Sequence, residues 1–107
     1  MPVLRTPSSE GDASCEYAAS LSWRYIYNLQ VAPKDRRKGL ATQLVEMCSA
    51  MGRHRKPVYA ASEPTPEAQG FWSRVAHPVQ KHEVPKGLQL LMESYGHSEL
   101  RVFVYDK

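Results

Sequence analysis

Residues 31–44, VAPKDRRKGLATQL, place Lys34, Arg36, Arg37 and Lys38 beside Gly39, directly ahead of an apolar helical pattern. The chemistry such a stretch can do is anion binding. The first turn of a helix presents backbone N–H groups with no intrahelical partner. The macrodipole adds roughly half a positive charge there, so phosphate oxygens fit that end. A glycine at 39 lets the backbone approach an anion with no Cβ in the way. Arg36, Arg37 and Lys38 would add charge-assisted hydrogen bonds. The glycine spacings of dinucleotide-binding and Walker-type loops are both absent.

The elements around this stretch follow from periodicity. Residues 23–31, WRYIYNLQV, alternate as a strand, with Trp23, Tyr25, Tyr27, Leu29 and Val31 on one face and Arg24, Ile26, Asn28 and Gln30 on the other. Leu40, Leu44, Met47, Cys48 and Met51 recur at three- and four-residue spacing, which predicts a helix over 40–51 closed by Gly52. The basic RHRK that follows suits the negative end of its dipole. Residues 57–61 read as a short buried strand. Thr65 as N-cap, Pro66 at the first helical position and Glu67 in the first turn open a second helix, with Ala68, Phe71, Trp72 and Val75 as its apolar stripe. Residues 86–96 suit a short helix closed by Gly96, with a strand as the alternative; residues 100–106 read as a strand, and 6–14 as a loop. Strand–helix–strand–helix order predicts an α/β domain with helical crossovers.

The chain has 107 residues, 42% of them apolar and a formal net charge of +3, which suits one domain. The charge is local. Seven basic side chains within 34–56, opposed by Asp35 and Glu46, leave +5 there and −2 elsewhere, which points to an anionic ligand or nucleic acid. No apolar run approaches the roughly 18 residues of a membrane helix, and the first residues lack the layout of a secretory signal. Two cysteines make no disulfide scaffold, so a reduced, cytoplasmic protein is expected. Neither Cys-x-x-Cys nor His-Glu-x-x-His occurs, and His54, His77, His82 and His97 lack ligand spacing, so no metal is expected.

Arg36-x-x-Gly39-x-Ala41, after a strand and opening a helix, resembles the pyrophosphate loop of the GNAT superfamily of acyl-CoA-dependent N-acetyltransferases. NLQVAPKDRRKGLATQLV follows that family's strand, Val-x-Pro turn, Arg-rich loop and helix in order, and PVYAASEPTPEAQGFW follows its next strand and helix. The resemblance covers about residues 23–75, the expected acetyl-CoA-binding core, between a strand and loop region over 1–22 and a C-terminal part over 76–107. It implies a mixed central sheet flanked by helices, with the N-terminal part truncated. It implies that Leu29 and Val31 pair through their backbones with a pantetheine arm. Amides of Arg37, Lys38, Gly39, Leu40, Ala41 and Thr42 would hold the pyrophosphate, and Thr65 would lie near the pantetheine. The implied reaction moves acetyl from acetyl-CoA to an amine of a protein or small molecule, with the oxyanion held by a backbone N–H.

The sequence also departs from the family's pattern. A tyrosine that often protonates the leaving thiolate falls on Trp72, and a glutamate that often serves as base falls on Tyr25. A lysine-type amine must lose its proton at about 4 kcal/mol near neutral pH, whereas an α-amine needs about half a kcal/mol. Glu63, just after the second central strand, is the remaining candidate base, and Tyr25 with Tyr27 could relay a proton through water. Two other readings remain open: a non-catalytic acetyl-CoA-binding or interaction domain of the same fold, and a nucleic-acid-binding protein, for which no module signature is present. Neither a membrane nor a nucleic acid is an expected partner, and a shortened sheet edge would allow a homodimer.

Overall fold

The computed structural model describes residues 2–106. Strands β1 (Val3–Arg5), β2 (Ala13–Ala19) and β3 (Arg24–Val31) form an antiparallel meander. Helix α1 (Leu40–Ser49) then crosses over to β4 (Val58–Ser62), which pairs parallel to β3. Helix α2 (Pro66–Val75), β5 (His77–Val79), α3 (Lys86–Ser94) and β6 (Arg101–Tyr105) complete the chain. The sheet order is β1-β2-β3-β4-β6-β5. It is a mixed α/β sheet, and β3–β4 is its parallel pair. The expected strand and loop region over 1–22 holds two strands, β1 and β2, and β5 is an addition to the sequence expectation. The loop read over 6–14 gives way to β2 at Ala13, and Pro78 sits in the edge strand β5, where no ladder donor is required of it.

Helices cover both faces. Leu40, Leu44, Val45 and Cys48 of α1 and Trp72 of α2 pack on Ile26, Val58, Ala60 and Phe103. On the other face, Leu88 and Met92 of α3 pack on Tyr25, Tyr27, Ala61 and Val102. This division corrects the expected alternation of β3. Tyr25 and Tyr27 face α3, but Leu29 and Val31 lie with the α1 core. The cause is a bulge. Ser14 pairs with Gln30 and Glu16 with Tyr27, so β3 carries one more residue than β2 across this step. Asn28 takes the left-handed conformation there, at φ 51°, and one extra residue exchanges the faces of all that follow it.

Helix ends also refine the expectations. α1 stops at Ser49, two residues before the expected Met51. The buried Arg24 guanidinium donates to the Met51 carbonyl at 2.9 Å, and Arg55 pairs with Glu46 at 2.6 Å rather than resting on the dipole. Thr65 caps α2 as expected, its hydroxyl accepting from Ala68 N–H at 3.2 Å. Residues 86–94 are helical, which settles the alternative at 86–96. Gly96, at φ 75°, ends α3 in a paired closure: Gly96 N–H donates to Glu93 and His97 N–H to Met92. Among the described residues, no helix is long and apolar enough to cross a membrane.

Candidate functional site

The ladder between β3 and β4 stops at Ile26 and Ala60, although β3 runs on to Val31. Residues 27–31 stay attached to β2 on one side, and the edge facing β4 opens. The strands splay apart into a cleft of about 500 Å³. Tyr27, Leu29 and Val31 form one wall; Ala61, Glu63, Thr65, Phe71 and Trp72 contribute to the other. An open strand edge can accept an extended chain by backbone hydrogen bonding.

A smaller cavity of about 180 Å³ lies at the N-terminus of α1, lined by Arg37, Gly39, Leu40 and Thr42. Val31, Arg36, Ala41, Phe71 and Arg74 line both cavities, so the two are continuous. Gly39 is the residue before the helix, at φ 76°, and no side chain caps the first turn. A Cβ at 39 would meet nothing within 4 Å. Asp35 lines this smaller cavity too. Asp35 is buried, accepts the Asp12 N–H at 2.9 Å and pairs with Lys38 at 2.7 Å. The Lys38 ammonium, then the Asp12 amide, hold its carboxyl below the usual carboxylate range.

The candidate residues therefore separate. Leu29, Glu63 and Thr65 line the cleft, Arg37, Gly39, Leu40 and Thr42 line the smaller cavity, and Val31, Arg36 and Ala41 line both. The Lys38 side chain lines neither and pairs with Asp35. Thr65 uses its hydroxyl on the α2 cap. Glu63 is exposed at the cleft wall. Tyr25 is fully buried and lines neither cavity; its hydroxyl lies 2.9 Å from His97 Nδ1. Trp72, only 4% exposed, is both core and cleft wall.

Two features escaped the sequence. Arg74 reaches both cavities because Glu67, Phe71 and Arg74 share one face of α2, a spacing visible in the chain once that face is known to matter. Arg36 Nη1 meets the Glu67 carboxylate at 3.3 Å across the cleft mouth. The second feature is an aromatic cluster on the α3 face. Tyr27 stands 5.4 Å from Tyr25, 5.2 Å from Tyr95 and 4.9 Å from His97, ring centre to ring centre. Burial pushes the Tyr27 hydroxyl up to about 12, helped by Tyr95 and the Glu16 charge. Tyr25 is pushed up further for the same first reason. Burial lowers the His97 pKa, partly opposed by Glu16. Asn28 Nδ2 donates to Glu16 at the bulge.

A splayed parallel pair leading to an uncapped helix N-terminus can be compared with solved structures. N-acetylglutamate synthase from Neisseria gonorrhoeae, complexed with coenzyme A and N-acetyl-glutamate, superposes at a TM-score of 0.62 and 17% identity. The fold is GNAT-like. The match covers 87% of this chain and 22% of that protein. No family model matches the sequence, and no curated protein does. Among the described residues, no three His, Cys, Asp or Glu side chains gather as a metal site.

Proposed function

We propose that this chain binds acetyl-CoA along the β3–β4 cleft and transfers its acetyl group to a primary amine. The observation that carries this reading is the continuity of the two cavities. One half is an open strand edge with apolar side chains, and the other is a helix N-terminus beside three guanidinium groups, those of Arg36, Arg37 and Arg74. A ligand suited to both is extended and amide-bearing at one end and multiply anionic at the other. Coenzyme A has that layout, and the similarly folded synthase was solved with it.

The chain's own groups then divide the work. The β3 edge around Leu29 and Val31 pairs with the amide-bearing arm. The amides of Leu40, Ala41 and Thr42, with Arg36 and Arg74, hold the phosphates. Arg36 must leave Glu67 to do so. That exposed pair is worth about 0–1 kcal/mol and does not compete strongly with a phosphate. The acetyl thioester supplies an electrophilic carbon with a good leaving group. A β3 amide near the bulge offers an N–H to the developing oxyanion. Glu63, exposed on the open wall, can pass a proton between the cleft and solvent through water.

Calorimetric titration with acetyl-CoA, with CoA release followed in the same sample, tests the reading. Saturable binding with release that accelerates when amines are added is the expected result. Binding without release under any amine would establish the ligand-binding alternative. No binding would remove the assignment and leave the basic loop to nucleic acid.

A further inference from the structure

The face of the sheet opposite α1 and α2 carries a group of side chains that the acetyl-CoA reading does not use. Tyr27 belongs to both, because it lines the cleft and stacks into the cluster below. His97 sits 4.9 Å from the Tyr27 ring and 5.5 Å from that of Tyr95, and it is half-buried. Glu16 approaches from β2, opposite Tyr27, and is held by Asn28 at the bulge. We propose that Glu16, Tyr27, Tyr95 and His97 form the acceptor subsite, which seats a protonated primary amine and uses His97 as its base. The inference rests on the acetyl-transfer reading above.

The chemistry of the four groups is complementary. An ammonium is attracted by a carboxylate and by the faces of tyrosine rings. The same carboxylate repels an acceptor that carries its own negative charge, so an acidic amino acid, such as the one in the synthase structure, is disfavoured. His97 Nδ1 lies against the Tyr25 hydroxyl at 2.9 Å. With Nδ1–H donating to that oxygen, the lone pair is on Nε2, free to take a proton. Tyr25 is thereby a positioning residue rather than the base. The groups facing His97 are Tyr25 and Tyr27 from β3, Tyr95 just past the end of α3 and Glu16 from β2. Burial lowers the imidazole pKa and so favours its neutral form, and the carboxylate opposes this only in part.

The step balances. One ammonium proton moves to His97 Nε2, and the freed nitrogen pair forms the N–C bond. The C–S bond breaks, the second amine proton passes through water to the departing thiolate, and His97 returns its proton to solvent. Gly96 places the base. Its positive φ lets α3 end in a closure that turns the chain, so His97 meets Tyr25 72 positions away in sequence.

Two measurements on the full chain test this. The first follows the His97 ring resonances by NMR during titration with butylamine and, as a probe of opposite charge, butyrate. Butylamine should shift them saturably and butyrate should not, and Glu16→Gln should weaken the amine at least about 5-fold. The second follows CoA release from acetyl-CoA and butylamine. His97→Asn should lower kcat/KM by about 10²- to 10⁴-fold and abolish the acid limb of its pH profile, with acetyl-CoA affinity unchanged by calorimetry. Shifts by butylamine in a protein that fails to bind acetyl-CoA would uphold the amine subsite and remove only the acetyl donor. No His97 shift with butylamine, equal shifts with butyrate, or a folded His97→Asn protein with unaltered rate and pH profile would overturn the proposal.

Discussion

Replacing Gly39 by aspartate and, separately, by asparagine isolates charge at the α1 N-terminus. The two side chains have nearly the same shape, and both tolerate left-handed backbone better than other residues do. At φ 76° each loses about 1 kcal/mol against glycine, and that loss cancels between them. Neither meets a neighbour at Cβ, since nothing lies within 4 Å. The carboxylate also complements the helix dipole by about 0.3–1 kcal/mol, so Gly39→Asp folds at least as stably as Gly39→Asn. Weaker binding by the aspartate protein therefore cannot come from unfolding. A carboxylate about 4 Å from a phosphate charge costs about 1 kcal/mol in water-like surroundings and about 4 kcal/mol at the dielectric typical of a protein surface. The acetyl-CoA dissociation constant of Gly39→Asp should exceed that of Gly39→Asn by roughly 5-fold to several hundred-fold. The gap should narrow at 1 M salt, where the screening length falls to about 3 Å. Calorimetry at both salt concentrations, with thermal melts of both proteins, reads this directly. Equal affinity in two folded proteins would show that no anion approaches Gly39, and the phosphate assignment would fall.

Two further outcomes concern stability. Thr65→Ala removes the acceptor for Ala68 N–H at the start of α2 and should cost about 1 kcal/mol, a Tm lower by about 4–8 °C in a thermal melt. Cys15 and Cys48 are buried and their thiols are pushed up to about 12, from 9.0. A raised acid pKa stabilises the fold fully below the unfolded value and loses that contribution above it, because the unfolded chain ionises first. Stability should therefore fall from about pH 9 towards pH 12, by up to about 1.4 kcal/mol per pH unit for each thiol. Urea titrations at pH 8, 9.5 and 10.5 measure the slope, which a Cys48→Ala protein should show reduced.

Much of the scaffold was legible because the interactions that specify it are local. Thr65, Pro66 and Glu67 announce α2 through hydrogen bonds and dipole contacts within one turn. Gly96 announces the end of α3 for the same reason, and the α1 stripe at 40, 44 and 48 reflects a period that any amphipathic helix obeys. The glycine turn ahead of α1 was likewise readable, since a glycine followed by a helix start needs no distant partner to expose its amides.

Tertiary contacts decided what stands opposite those elements. The bulge at Asn28 arises from pairing with β2, and no feature of WRYIYNLQV alone reveals that Leu29 and Val31 leave the face of Tyr27. Lys38 is drawn from the basic run by Asp35, whose burial depends on residues far earlier in the chain. Arg74 enters the cleft because α2 faces the opened edge of β3 across it. His97 meets Tyr25 only once α3 has folded onto the sheet. Sequence by itself determined that β3, α1, β4, α2 and β6 would form and where a helix offers its amides, because those choices are made over a few residues, whereas β2 and β5 needed their partners in the sheet. The site belongs to the tertiary structure, because its walls come from segments whose proximity is set by the whole sheet.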